Sequence, residues 1–177
     1  STDGGETWRQ YAHNPVIANP GVKDFRDPKV LWHQESERWV MVLSAGDHIA
    51  LYASANLKEW QQLGRFDLPG NTPKGVLECP DLFPLWCEQT QQEYWVLLIS
   101  VNPGAPNGGS ATLYFIGTFD GAIFSSVDER LRWFDFGPDN YAAITWDNAP
   151  TDSAHRIAVG WMNNWQYANE VPTHPWR

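Results

Sequence analysis

Apolar residues in this chain come in short runs bounded by Gly, Pro, Asn, Asp or Ser, the pattern of β-strands. It predicts strands over Lys29–Trp32, Trp39–Ser44, Ile49–Ser54, Tyr94–Val101, Ala111–Thr118, Tyr141–Trp146 and Arg156–Met162. Several, such as Val96-Leu97-Leu98-Ile99, are apolar at every position, so both faces should be covered by neighbours. Helical periodicity is weak, and Ser125–Leu131 is expected to form a turn at most.

The strands recur. One unit runs from Arg26-Asp27-Pro28-Lys29-Val30-Leu31-Trp32 through Arg38–Leu43 and Ile49–Ser54 to Asn56–Trp60. A second opens at Glu78-Cys79-Pro80-Asp81-Leu82-Phe83 and continues through Tyr94–Ile99 and Thr112–Gly117 to Phe119-Asp120-Gly121. A third begins near Asn140-Tyr141 and reaches Trp161. Asp27 and Glu78 stand 51 positions apart, Trp39 and Trp95 56. A repeat of roughly 50 residues with about four strands per unit is the signature of propeller blades. A β-sandwich also gives short strands, but does not require Pro-marked starts at matching intervals.

Composition narrows the class. The 177 residues include 11 Trp, 6 Tyr and 8 Phe, enough large apolar side chains to exclude a disordered chain. The 14 Gly and 13 Pro break up any long helix, which argues against a bundle or coiled coil. A net charge of -9 does not suit a nucleic-acid binder. No apolar run approaches the roughly 20 residues of a membrane-spanning helix, and no signal peptide is visible. Cys79 and Cys87 have neither disulfide-framework nor zinc spacing and leave the redox compartment undecided. His13, His33, His48, His155 and His174 are scattered, so no metal and no cofactor is expected.

The first eight residues, Ser-Thr-Asp-Gly-Gly-Glu-Thr-Trp, read as a hairpin tip in which Asp3 bonds its own turn and Trp8 packs beneath. The pattern resembles the Asp-box turns of sugar-processing propellers, and Ser54–Trp60 is a degenerate version.

Asp27 and Glu78 stand out as candidates for chemistry. Each precedes a Pro at the head of a strand, and both are expected at equivalent positions in successive units, facing the central axis. Alone, Asp27 reads better as a partner of Arg26 or a turn cap, and Glu78 as a solvated loop residue. Together, they suit glycoside hydrolysis, in which one carboxyl donates a proton and others hold or attack an electron-poor sugar carbon.

Phe-Arg-Asp-Pro-Lys-Val (25–30), Glu-Cys-Pro-Asp-Leu-Phe (78–83), Asn-Tyr-Ala-Ala (140–143), Gly-Trp-Met-Asn-Asn-Trp-Gln-Tyr-Ala (160–168) and Pro-Thr-His-Pro-Trp-Arg (172–177) resemble glycoside hydrolase family 32. That family holds invertases, inulinases, levanases and fructan exohydrolases, and the 160–168 stretch is most similar to the exo-inulinase and levanase branch. The resemblance implies a five-bladed propeller and retaining hydrolysis of terminal β-D-fructofuranosyl bonds in levan, inulin or sucrose. It implies Glu78 as general acid/base, with a raised pKa, and Asp27 as transition-state stabiliser. Arg26 would bind the sugar and keep Asp27 ionised. Cys79 would be packing and hydrogen-bonding support within the binding site. It also favours a secreted or periplasmic location.

The family's nucleophile lies in a Trp-Met-Asn-Asp-Pro-Asn motif upstream of Arg-Asp-Pro, and no such motif occurs here. Trp161-Met162-Asn163-Asn164 begins similarly but follows Glu78 and belongs to a later blade. Residues 1–177 are therefore expected to form an incomplete propeller of about three blades. The first blade, the end of the ring and any C-terminal β-sandwich would be missing, and the fragment would be inactive alone. Its unburied edges predict self-association or a complementing chain. The alternative is a non-catalytic propeller that binds fructans. Trp8, Trp32, Trp39, Trp60, Trp86, Trp95, Trp133 and Trp146 are expected to pack between blades. Trp161 and Trp165 flank a polar Asn-Asn, and one of them is a candidate to line the fructosyl subsite.

Overall fold

Alternation decides which way each strand looks. In Arg38–Ala45 (β2), Val40 and Val42 join one apolar cluster while Met41 and Leu43 join another on the opposite face, the two-residue period of an extended chain. The computed structural model describes residues 1–149 and 155–172, so Thr173–Arg177, with His174 and most of the last motif quoted above, lies outside the described residues.

Phe25–His33 (β1), β2, His48–Ser54 (β3) and Gln61–Asp67 (β4) form an antiparallel sheet in chain order. Val76–Cys87 (β5), Gln92–Asn102 (β6), Ala111–Phe119 (β7) and Phe124–Ser126 (β8) repeat that order, and the short Arg132–Trp133 (β9) also pairs with β7. Tyr141–Thr145 (β10) and Ala158–Trp161 (β11) make a third, two-stranded antiparallel unit. Among the described residues there is no helix. The fold is all-β, its sheets the blades of a β-propeller. The predicted strands overlap β1, β2, β3, β6, β7, β10 and β11. β4 escaped because its sequence, Gln-Gln-Leu-Gly-Arg-Phe-Asp, buries only Phe66. At 125–131 the chain bends instead of making a helical turn: Ser126 Oγ donates to the Asp128 carbonyl at 2.6 Å and Val127 N to the Ile116 carbonyl at 2.9 Å.

Each sheet's first strand is interrupted at the same place. The register of β1 against β2 shifts between Arg26 and Lys29, that of β5 against β6 between Glu78 and Asp81, and that of β10 against β11 between Tyr141 and Ile144. Within each break one non-glycine residue is left-handed: Asp27 at φ 58°, Cys79 at 47° and Ala142 at 54°. Such a bulge bends the strand and re-aims its side chains. The bulges align Arg26 with Glu78 and Tyr141, and Asp27 with Cys79 and Ala142. This corrects the expected equivalence of Asp27 and Glu78. Pro28 and Pro80 are the matched residues, and Asp27 lies one place before its proline while Glu78 lies two before.

The main core lies between the first two sheets. Leu31, Val40, Val42, Ile49, Leu51 and Phe66 from one meet Leu82, Leu97, Ile99, Leu113, Phe115 and Phe124 from the other. Phe66 makes edge contacts with Phe115 and Phe124 at ring separations of 5.0 and 5.3 Å. Each such side chain contributes about 1.5–3 kcal/mol by leaving water. Trp95 and Trp133 pack against this core and Trp60 against the cluster on the other face of the first sheet. Trp8, Trp32 and Trp146 are 80%, 43% and 61% exposed in this chain. Trp8 is held by its own turn, its Nε1 donating to the Gly5 carbonyl at 3.0 Å. Thr7 N donates to Asp3 at 3.0 Å in that turn, and Ser54–Trp60 repeats the arrangement, with Trp60 Nε1 on the Leu57 carbonyl at 3.1 Å.

Candidate active site

β5 lies between β1 and β10, so the three bulged strands present their equivalent residues side by side. Arg26 Nη1 donates to Glu78 Oε1 at 3.0 Å, and the Tyr141 hydroxyl donates to Glu78 Oε2. One carboxylate thus takes a donor on each oxygen, from a different blade on either side. Tyr141 is 2% exposed. Burial, followed by the bond to Glu78, pushes its phenol well above the ordinary tyrosine range, so it stays a donor. The other arm of Arg26, Nη2, is paired with Asp24 Oδ1. The guanidinium of Arg26 turns to Asp24 and Glu78, while Asp27, set in the bulge, bonds to Cys79.

Asp27 points at Cys79. Its Oδ2 accepts from Cys79 N at 3.0 Å and lies 3.7 Å from Cys79 Sγ. The two left-handed residues of neighbouring bulges are therefore bonded to each other. Burial, then the charges of Asp27 and Glu78, pushes the Cys79 thiol up to about 12. It remains protonated at neutral pH, a donor to Asp27 and a poor nucleophile.

A second polar layer lies further along the same strands. Asp81 is fully buried, and its Oδ2 accepts from Thr145 N at 2.6 Å and Thr145 Oγ1 at 2.7 Å. Lys29 Nζ donates to the Thr145 carbonyl at 2.7 Å and stands 3.8 Å from Asp81 and 3.1 Å from Asp147. Burial raises the Asp81 carboxyl above its ordinary range, against the lowering effect of Thr145 and Lys29.

Trp161 and Trp165 continue the site outward from Tyr141. Ring centroids are 6.5 Å apart for Tyr141–Trp161 and 4.9 Å for Trp161–Trp165, and Trp165 is half exposed. The Asn-Asn between them faces inward. Asn164 Oδ1 accepts from Ser110 N at 3.1 Å and Gln166 N at 2.9 Å, while Nδ2 donates to the carbonyls of Gly108, Ser110 and Pro138 at 3.2, 3.3 and 2.8 Å. Gly109, at φ 70°, must be glycine there: a Cβ would lie 1.9 Å from Asn164 Oδ1. Beside Arg26, the other side of the first sheet opens into a cleft of 490 Å³ bordered by Asn14, Ile17, Phe25, Met41 and Leu43.

The structure therefore brings Arg26, Asp27, Glu78 and Cys79 into one cluster and sets Trp161 and Trp165 beyond Tyr141. Sequence reasoning missed Asp24 and Tyr141 as members. A repeat aligned on Arg-Asp-Pro, Glu-Cys-Pro and Tyr-Ala-Ala shows Tyr141 in line with Glu78. The arrangement offers a carboxyl held by two donors, a second carboxylate held by a backbone N–H, and an aromatic surface that runs outward from Tyr141.

The family model of the glycosyl hydrolases family 32 N-terminal domain matches residues 1–177. A levanase of Bacillus subtilis is 50% identical over 180 residues, which covers 100% of this chain and 27% of the levanase. An extracellular exo-inulinase of Meyerozyma guilliermondii is 42% identical over 179 residues, 100% of this chain and 34% of its own length. The structure of a fructofuranosidase from Schwanniomyces occidentalis complexed with fructose matches at a TM-score of 0.90 and 40% identity, over 100% of this chain and 34% of that one. The chain thus spans about a third or less of the length of these relatives.

Proposed function

The chain belongs to glycoside hydrolase family 32, and we propose that it carries the acid/base and stabilising carboxylates of an enzyme that cleaves terminal β-D-fructofuranosyl bonds. The observation that supports this best is Glu78, bonded on both oxygens and next in sequence to the residue that Asp27 grips. In this reading protonated Glu78 gives its proton to the glycosidic oxygen as the bond to the anomeric carbon breaks. Asp27, which accepts the Cys79 N–H, holds fructosyl hydroxyls while positive charge develops at that carbon. Glu78, now a carboxylate, then takes a proton from the water that releases the fructosyl group. Arg26 and Cys79 support the two carboxyls, and Trp161 or Trp165 offers a face to a sugar ring.

A retaining displacement needs a third carboxylate as nucleophile, and this reading assigns that role to a segment outside these 177 residues. The domain is thus an incomplete propeller whose substrate is levan, inulin or sucrose, acted on outside the cell as by the extracellular relative. The test is fructose release from the three substrates, by this chain alone and by a polypeptide that joins it to the rest of the ring. Release by the joined protein only is the expected result. Release by this chain alone would overturn the assignment of the nucleophile. Tight binding of fructan without release by the joined protein would make the domain a binding module.

A further inference from the structure

Glu78 presents a conflict. To deliver a proton it must first carry one, yet in this structure both of its oxygens receive hydrogen bonds, from Arg26 Nη1 and from the Tyr141 hydroxyl. Two donors suit a carboxylate; once Glu78 is protonated the Tyr141 hydroxyl can turn from donor to acceptor, but the Arg26 guanidinium can only donate. Tyr141 is buried, and packing fixes its ring against Trp161. Arg26 is different: its side chain is 40% exposed, and its second arm already rests on Asp24. Arg26, which can only donate and whose charge opposes protonation of Glu78, is therefore the contact that must loosen.

We propose that Asp24 is a positioning residue of this site, the resting counter-ion that lets Arg26 turn from Glu78 as Glu78 takes up its proton. The proposal rests on the acid/base role given to Glu78 above. Asp24 is built for it. Its backbone is left-handed, at φ 59°, and its carbonyl accepts from Gly46 N in the two-residue turn between β2 and β3. Its side chain is only 17% exposed. The groups facing Glu78 are Arg26 from β1, Tyr141 from β10, and the Asp27–Cys79 pair beside it. Arg26 brings the single positive charge among them. Asp24 offsets that charge. Without it, Glu78 is the carboxylate left to Arg26, and the ion pair locks Glu78 in the ionised form that cannot act as an acid.

The test is the pH dependence of kcat/KM for fructan cleavage by the protein that joins this domain to the rest of its ring, comparing wild type with Asp24→Asn and Asp24→Glu. Asn adopts the left-handed backbone as readily as Asp, so Asp24→Asn changes the charge and keeps the loop. Asp24→Asn should move the basic limb of the profile down by about one pH unit and lower kcat/KM near neutral pH about tenfold, through kcat rather than KM. Asp24→Glu should restore most of the limb. A role confined to folding would scale the whole profile down without moving it, and an unmoved limb in Asp24→Asn overturns the proposal. If Asp24→Asn fails to accumulate as folded protein, Asp24→Gly, which also allows the left-handed backbone and removes the charge, decides: a lowered limb supports the proposal and the wild-type position overturns it. A wild-type protein that cleaves neither levan, inulin nor sucrose overturns the functional reading and this proposal with it; an active wild type with an unmoved limb overturns this proposal alone.

Discussion

Arg26 and Glu78 hold the same place in successive sheets, each one residue before a left-handed bulge, and their side chains meet at 3.0 Å. The repeat thus sets a cation beside an acid by duplicating one backbone detail. Tyr141 takes that place in the next unit and closes on the other oxygen of Glu78.

Removing the acid and removing its support should differ in kind. In the joined protein, Glu78→Gln should lower kcat by about 10² to 10⁴-fold. Tyr141→Phe keeps the buried ring and loses one bond to a charged group, an interaction of about 1.5–3 kcal/mol. It should lower kcat about tenfold or more and cost no more than that amount in stability. Steady-state kinetics beside a melting curve would show this, and a collapse of the melting temperature in Tyr141→Phe would assign the residue to folding instead.

Asn164 should matter for stability and for the aromatic surface together. Asn164→Ala leaves the N–H groups of Ser110 and Gln166 without their acceptor inside the protein, a loss of about 2 kcal/mol or more. Asn164→Asp should be worse, because it sets an anion against the carbonyls of Gly108, Ser110 and Pro138. Urea unfolding gives the order of the two variants.

Asp81 should make stability fall as pH rises out of the acid range. Its folded-state carboxyl is raised by burial, so just above the ordinary aspartate value of about 3.9 the unfolded chain gives up its proton while the folded chain keeps it. The folded state binds more protons there, and its stability declines with pH until Asp81 has ionised in both states. Asp81→Asn should flatten that slope, whatever it does to stability overall. Parallel pH–stability curves for the two proteins would contradict the assignment.

The outer face of β10 and β11 should drive self-association of this chain alone. Ile144, Val159 and Ile157 are each close to half exposed, with Trp146 beside them, a contiguous apolar surface of the kind that seeks a partner. Sedimentation should show concentration-dependent association, relieved by Ile144→Lys with Val159→Glu. A monomer at all concentrations would argue against it.

Much of this was readable in advance because it rests on local chemistry. Continuous apolar runs exposed the strands with both faces covered, such as Val96–Ile99, and the two Asp-box turns are written in consecutive residues. β4 was not legible, since a sheet-edge strand with a single buried residue has no apolar pattern to detect. The one-residue error in matching Asp27 with Glu78 has a physical cause: a bulge changes register without changing composition. It hid Tyr141, whose Ala142 and Ala143 carry no Pro or charge to mark the motif. Asp24 was hidden because its partner, Arg26, seemed already spoken for by the aspartate next to it.

Asp, Cys and Ala all occupy the left-handed position of the bulge. The shape of that position is inherited from strand pairing, and its occupant is not dictated. A duplicated blade therefore brings to the axis a ready-made mount on which one unit could come to carry a stabilising carboxylate, another a thiol and a third only a methyl group. In such a protein new chemistry can arise by single substitutions at a fixed backbone, and the history of the site is one of changing fittings rather than of rebuilding the frame.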